Sequence, residues 1–229
     1  TPTPVPVISE DQLPDRQMNI LLLGVDDFAA NGFRTDVIML LSLNPKHNSI
    51  SLVSFPRDLY VTIPGYWSNR INTVWGLGGF ELLADTFEVN FGIHPQYYMM
   101  VNYNGFRDVV NSLDGIDVVV TQELQDSCGR DASGWCIIKP GTVHMDGDMA
   151  LWYSRSRLTS SDFDRNRRAQ EVVKAMFTKA MNLNMLPKVP ELYGLYREYI
   201  DTNVQPLDIL PYLPLASEVM KTGNINQYA

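Results

Sequence analysis

Basic charge is scarce in this chain. Its 229 residues hold 18 Lys and Arg against 26 Asp and Glu, a formal net charge of -8 with a pI near 4.8. Affinity for a phosphate backbone needs a basic surface, so this balance argues against a nucleic-acid binder. Long apolar runs are missing too. No stretch approaches the ~20 apolar residues of a membrane span, and no signal peptide lies within these residues. Cysteine is limited to Cys128 and Cys136, and a CxxC metal or redox pattern is absent. With Gly129 and Gly134 between them, the two thiols suit a small disulfide loop and an oxidising compartment; two unpaired thiols are the alternative. The three histidines, His47, His94 and His144, are scattered, which argues against a histidine-built metal or catalytic centre. There is no internal repeat, and Gly76-Leu-Gly78-Gly79 matches neither a Walker nor a dinucleotide fingerprint, so it is a weak anion cradle.

What is present suffices for a full core: 45% of the residues are hydrophobic and 10% aromatic. Residues 1–17 open with Thr1-Pro-Thr-Pro-Val-Pro-Val, a Pro/Thr-rich extended linker, and a chain opening inside a linker is expected to have lost an N-terminal anchor. Residues 18–229 are expected to form a single domain with C-terminal helices. Met18–Gly24, Asp36–Leu43, Ser49–Phe55, Tyr97–Val101 and Ile116–Val120 read as strands, the first as one buried on both faces. Helical spacing covers Phe80–Phe91. Asn104 is expected to cap a helix through Val110, stopped by Gly115, and Asp146 one carrying Met149, Ala150, Trp152 and Tyr153. Asp162 is expected to start a longer helix with Val172, Val173, Met176, Phe177 and Ala180 on its apolar side. Leu192–Ile200 and Leu207–Met220 follow, the latter interrupted by Pro211 and Pro214. Strands alternating with helices predict an α/β sandwich with a central mixed sheet.

Against the acidic background, five of twelve arginines fall within fourteen residues: Arg155, Arg157, Arg165, Arg167 and Arg168. The long-range field has the wrong sign for general polyanion affinity, so the cluster is a local device. Arginine's planar fork of donors suits phosphate oxygens. Arg155 and Arg157, two apart, point the same way only in extended backbone, which places them just past a helix end. More chemistry sits where strands end, at Asp26 and Asp27, at Arg34 and Asp36, and at Arg57 and Asp58. Ligands of open α/β sheets gather there. Asp26 and Asp36 are hard oxygen donors suited to magnesium, with Arg34, Arg57, Arg155 and Arg157 as counter-charge. The plainer reading has weight too: a single Asp–Arg pair in a loop is usually a surface ion pair, and Arg165, Arg167 and Arg168 also suit a solvated helix face.

Taken in order, Leu21-Leu-Leu-Gly-Val-Asp26, Phe33-Arg-Thr-Asp36, Ser54-Phe-Pro-Arg-Asp58, Arg70-Ile-Asn72, Gly78-Gly79, Val101-Asn102-Tyr-Asn-Gly105-Phe106, Leu113-Asp-Gly-Ile-Asp-Val118, Asp146-Gly-Asp-Met-Ala-Leu-Trp-Tyr-Ser-Arg-Ser-Arg157 and Asp162-Phe-Asp-Arg-Asn-Arg-Arg-Ala-Gln170 make a specific series. It resembles the extracellular catalytic domain of the LytR-CpsA-Psr family, from about Met18 to about Ala180. The resemblance implies a three-layer α/β/α sandwich with an apolar lipid tunnel, anchored by an N-terminal transmembrane helix at the extracellular face of the cytoplasmic membrane of a bacterial cell envelope. It implies a phosphotransferase moving a glycan from a polyprenyl-pyrophosphate carrier to a peptidoglycan or other cell-wall acceptor. Asp26 and Asp36 would hold magnesium, with manganese as the alternative. Arg34, Arg57, Arg155 and Arg157 would bind pyrophosphate, with Arg165, Arg168 and Gln170 close behind. Arg57 and Arg155 would carry the catalysis, and Asp58 or Asp162 is the candidate proton acceptor. Three departures stand out: Ala169 where the family usually has Gln, Asp164 where it often has Gly, and the Cys128–Cys136 insert. A pyrophosphatase-like hydrolase and a non-catalytic prenyl-lipid or polysaccharide-binding module are the alternatives.

Overall fold

The structure, a computed structural model, describes residues 17–26, 34–129, 133–156, 162–181, 189–222 and 225–229. In chain order its elements are β1 (Met18–Val25), β2 (Thr35–Asn44), β3 (Ser49–Ser54), β4 (Tyr60–Val61), β5 (Asn69–Arg70), α1 (Val74–Phe91), β6 (Tyr97–Asn102), α2 (Tyr103–Ser112), β7 (Ile116–Val120), β8 (Leu124–Ser127), β9 (Trp135–Ile138), β10 (Gly141–Met145), α3 (Gly147–Arg155), α4 (Asp162–Ala180), α5 (Val189–Tyr199), β11 (Ile200–Thr202), α6 (Pro206–Ile209), α7 (Leu213–Thr222) and β12 (Ile225–Tyr228). Residues 1–16 of the predicted linker and Asp27 lie outside the described residues, as does Arg157. The chain divides into two compact units, Thr1–Asn102 with Asp201–Tyr228, and Tyr103–Ile200.

The first unit is built on a six-stranded sheet of order β11-β6-β1-β2-β3-β12. β1 runs antiparallel to β2 and parallel to β6, β2 runs antiparallel to β3, and β12 runs parallel to β3. The expected central mixed sheet is present. Leu21, Leu23 and Val25 of β1 pack with Ile38 and Leu40 of β2, Met100 of β6 and Leu83 and Phe87 of α1. Ile20, of opposite parity on β1, is buried as well, which is why this strand reads as a continuous apolar run. α1 begins earlier than predicted, at Val74, but Gly78 and Gly79 leave helical backbone inside it, Gly79 with φ +67°. The glycine run therefore kinks α1, and regular helix resumes at Phe80, where the apolar spacing begins.

The second unit packs α2, α3 and α4 around β7, which shows clean alternation: Ile116, Val118 and Val120 point into the core, Asp117 and Val119 out. Val110, Leu113, Ala150, Tyr153, Val172 and Ala175 complete that core. Asp146 caps α3 as expected, its carboxylate accepting from Met149 N at 2.8 Å. Gly147 is a steric necessity: a Cβ there would lie 2.4 Å from the Arg107 carbonyl oxygen, so only glycine lets α3 approach α2 this closely. Asn104 is not the cap of α2, which already starts at Tyr103; its side chain instead accepts from Arg107 at 3.0 Å.

Candidate active site

Two strand ends and a turn assemble the charged cluster of the first unit. Gly24 pairs with Val37 and Val25 with Thr35, so Asp36 is the extra residue of a β-bulge. A bulge bends its strand and re-aims a side chain, and it does so here at the end of β1, one residue before Asp26. β3 then leads into a turn closed by Leu59 N donating to Pro56 O at 2.9 Å, with Arg57 and Asp58 as its two central residues. The Asn72 and Ile71 amides hold this turn from outside, donating to the carbonyls of Arg57 and Leu59.

The side chains form a chain of alternating charge. Arg57 Nη1 donates to Asp36 Oδ1, Arg57 Nε lies 3.4 Å from Asp58 Oδ2, and Arg70 Nη1 lies 3.2 Å from Asp58 Oδ1. Burial lowers the pKa of Arg57, but the hydrogen bond and charge of Asp36, then Asp58, outweigh it, and the value lies above the ordinary one. Arg57 is therefore a fixed cation. Asp26 and Arg34 are exposed at the adjoining strand ends. Two buried polar atoms beside this chain, Thr35 Oγ1 and Asn72 Oδ1, have no hydrogen-bond partner among the described residues. Buried polar groups are normally satisfied, so such atoms next to an ion-pair chain are what a site completed by its ligand leaves behind.

The predicted metal site can be tested against this arrangement. Asp26 and Asp36 come from neighbouring strands at one end of the sheet, and a carboxylate offers about four lone-pair sites, so the Arg57 bond and a cation bond are compatible on Asp36. Two carboxylates with a nearby arginine suit magnesium, which keeps several waters or phosphate oxygens. The residues fit the ion. Among the described residues another carboxylate–imidazole group, Asp85, Glu88 and His94, sits half-exposed to exposed on the surface, where an ion pair is worth little.

The arginine-rich segment resolves into distinct roles. Arg155 is the last residue of α3 rather than just past it, and extended backbone begins at Ser156 (φ -54°, ψ 140°). Its exposed guanidinium lies 3.9 Å over the Tyr103 ring. Arg168 is 3% exposed; it donates through Nε to the Tyr153 carbonyl at 2.9 Å and through Nη2 to the Ser156 carbonyl. The last carbonyls of a helix lack intrahelical partners, so Arg168 caps α3 from α4. Burial pulls its pKa down, with the charge of Arg167 adding to that effect. Arg167 pairs with Glu171 at 2.6 Å and Asp164 at 3.7 Å along α4, as a helix-surface arginine would. Arg165 and Gln170 are buried. Asp162 opens α4, and its side chain lies outside the description. Tyr153, fully buried, donates to Glu171 at 2.7 Å; burial first, then this bond, raises its pKa far above the usual tyrosine value.

Sequence reasoning assigns no site role to Arg70, Tyr103, Arg107 or Asp148, and marks Trp152 only as a residue of the helix after Asp146. Arg70 and Tyr103 stood inside recognised motifs, but only the fold shows that one extends the charge chain and the other supports Arg155. Arg107 of α2 and Asp148 of α3 pair at 2.7 Å across 41 positions of sequence, and therefore with no local signal.

A mixed α/β fold whose sheet carries carboxylates and arginines, among them the paired Asp36 and Arg57, at one end defines the class: an α/β domain with a charged cluster at its strand ends. The chain belongs to the LytR_cpsA_psr family, whose model matches residues 3–227. Among its relatives, the regulatory protein MsrR of Staphylococcus aureus (strain COL) is 33% identical over 193 residues, 83% of this chain and 57% of MsrR. The polyisoprenyl-teichoic acid–peptidoglycan teichoic acid transferase TagT of Bacillus subtilis is 30% identical over 213 residues, 90% of this chain and 66% of TagT. The chain thus spans less than two thirds of these relatives' length. The crystal structure of B. subtilis TagV superposes with a TM-score of 0.76 at 27% identity, covering 92% of this chain and 83% of TagV. TagT bound to LIIa-WTA superposes with a TM-score of 0.73 at 27% identity, covering 93% of this chain and 78% of that one.

Proposed function

We propose that this protein is a glycopolymer phosphotransferase that moves a glycan from a polyprenyl-pyrophosphate carrier onto a peptidoglycan or other cell-wall acceptor. The observation that carries this reading is the Asp36–Arg57–Asp58–Arg70 chain on the bulged end of the sheet, beside the orphaned Thr35 and Asn72 atoms. The transferase name of TagT and the structure of TagT bound to LIIa-WTA support the same reading.

In this reading Asp26 and Asp36 hold magnesium or manganese, which would supply charge neutralisation on the phosphate oxygens. Arg34 and Arg57 take pyrophosphate oxygens, the motifs add Arg155 and Arg157, and the buried Arg165, Arg168 and Gln170 stand behind them, Arg168 holding the backbone on either side of Arg155. An acceptor hydroxyl attacks the glycan-bearing phosphorus. The bond from that phosphorus to the bridging oxygen breaks, and polyprenyl phosphate leaves. The hydroxyl proton passes to a carboxylate, Asp58 or Asp162. Arg57 is suited to its part because its partners hold it charged and oriented before substrate arrives, so little reorganisation is needed as charge develops. The work is placed at the outer face of the cytoplasmic membrane of the cell envelope, with an N-terminal anchor holding the domain near its lipid substrate. The Cys128–Cys136 pairing suits that oxidising location.

The test supplies a short-chain polyprenyl-pyrophosphate glycan with isolated peptidoglycan. Phosphate-linked glycan on the peptidoglycan, lost with a chelator and restored by magnesium, is the expected result. Glycan phosphate released only into solution would replace transfer by hydrolysis, and binding without turnover would leave a carrier-binding module.

A further inference from the structure

Beside Arg155 the second unit holds a cavity of about 470 Å³ that the reading above does not use. This lies within the ~300–1,000 Å³ typical of small-molecule clefts. Arg107, Arg155, Asp126 and Asp148 are its charged lining residues, and Trp152 and Cys128 line it as well. Each is fixed by something other than a ligand. Arg107 is held by Asn104 at 3.0 Å and Asp148 at 2.7 Å, and Arg155 by the Tyr103 ring. Trp152 Nε1 donates to Ser127 O at 2.8 Å, which ties the indole to the end of β8. That strand pairs with β9, and the Cys128–Cys136 disulfide, with Cys128 N donating to Gly134 O at 2.9 Å, closes the hairpin. One wall of the cavity is therefore covalently fixed.

The lining excludes two ligand classes. Phosphate alone would meet two carboxylates as well as two cations, and a prenyl tail would meet charge on several sides. A ring bearing many hydroxyls fits: carboxylates accept from it, guanidinium groups, with five donors each, give to it, and its C–H face can lie on an indole.

We propose that this cavity is a saccharide subsite, walled by the disulfide hairpin and taking a sugar unit next to the phosphate bound by Arg155. The placement of that phosphate rests on the proposed function. The saccharide chemistry rests on the cavity itself. The sugar can belong to the donor glycan or to the acceptor, and the experiment separates these sources.

Binding of three probes to the 229-residue chain is measured by calorimetry: a short polyprenyl pyrophosphate without sugar, the same carrier bearing a disaccharide, and a soluble peptidoglycan disaccharide. The variants are Asp148→Asn, Arg107→Gln and Cys128→Ser/Cys136→Ser, each checked for an unchanged fold by circular dichroism. Loss of one charged partner to a bound hydroxyl is expected to weaken the sugar probe about tenfold or more. The open hairpin should weaken it by a smaller factor, with the bare carrier unchanged. Selective loss for the carrier-borne disaccharide assigns the donor sugar, and selective loss for the peptidoglycan disaccharide assigns the acceptor. Unchanged affinity for both sugar probes, with the bare carrier still bound, overturns the subsite and leaves the proposed function standing. If neither carrier probe binds the parent chain, the proposed function falls. The peptidoglycan disaccharide then decides the subsite alone: sensitivity to the variants supports it, and no binding or no sensitivity overturns it.

Discussion

Arg57 in the first unit and Arg168 in the second are the same residue in opposite employment. Arg57 is half-buried and bonded to carboxylates, partners that a phosphate group or a cation can share or replace. Arg168 is almost wholly buried and bonded to two main-chain carbonyls, partners that nothing soluble can replace. The pKa directions agree: charge partners lift Arg57 above its ordinary value, while burial lowers Arg168. An arginine of the proposed phosphate-binding motif can thus be left accessible to ligand or can hold the backbone that carries a neighbouring arginine. Arg168 fits the second description, since the carbonyls it caps flank Arg155.

The comparison breaks most visibly at Arg57. Arg57→Ala is expected to lower transfer about 10²–10³-fold, the usual cost of a preorganised electrostatic group, with little change in unfolding midpoint. Near-normal turnover would remove Arg57 from the site. Arg168→Ala should do the reverse at first order, costing about 2–4 kcal/mol in urea unfolding because two buried carbonyls lose their donor. Arg168→Lys sharpens this further. It keeps the charge but lacks the fork, so it should recover only part of that stability; full recovery would make charge, not geometry, the role of Arg168.

The disulfide gives a third, somewhat smaller effect. Closing a loop of this length is worth about 2.5 kcal/mol at most in chain entropy, so Cys128→Ser/Cys136→Ser should lower stability by that amount or less. Free thiols in the purified protein, counted under denaturing conditions without reductant, would contradict the pairing.

The smallest effect concerns Tyr98 of β6, whose hydroxyl donates to Asp201 at 2.9 Å. Burial first, then this hydrogen bond and the Asp201 charge, push its pKa up to about 12. Stability from this contact is present below about pH 10, the ordinary tyrosine value, and is lost as pH rises through the folded value. In Asp201→Asn the phenol should titrate lower, by ultraviolet absorbance, and the alkaline loss of stability should shrink. An unmoved titration would mean that burial alone sets the value.

Legibility in the sequence followed how local each cause was. β7 was readable residue for residue because one buried face imposes strict alternation. The cap at Asp146 was readable because Asp and the helix it starts are adjacent. β12 was not: Asn226, Gln227 and Tyr228 are exposed, and the segment becomes a strand only because the edge of β3 offers it a parallel ladder. The break expected at Pro211 in Leu207–Met220 is present as a 3-10 turn at Leu210–Tyr212, whereas Pro214 sits in the first turn of α7 and does not interrupt it. In the site, Asp36 and Arg57 were legible as residue types at strand ends. The bulge that aims Asp36, the capping role of Arg168 and the support of Arg155 by Tyr103 were not.

Local patterning and ordered motifs thus determined the class of fold, the family and the set of candidate residues, because hydrophobic period, caps and strand-end chemistry act over a few residues. Only the tertiary structure decided which of the arginines is a rivet and which is available, and that Arg107 and Asp148 meet beside a disulfide-walled cavity. Those outcomes depend on burial and on partners tens of residues away, and burial belongs to the packed molecule rather than to any stretch of its chain.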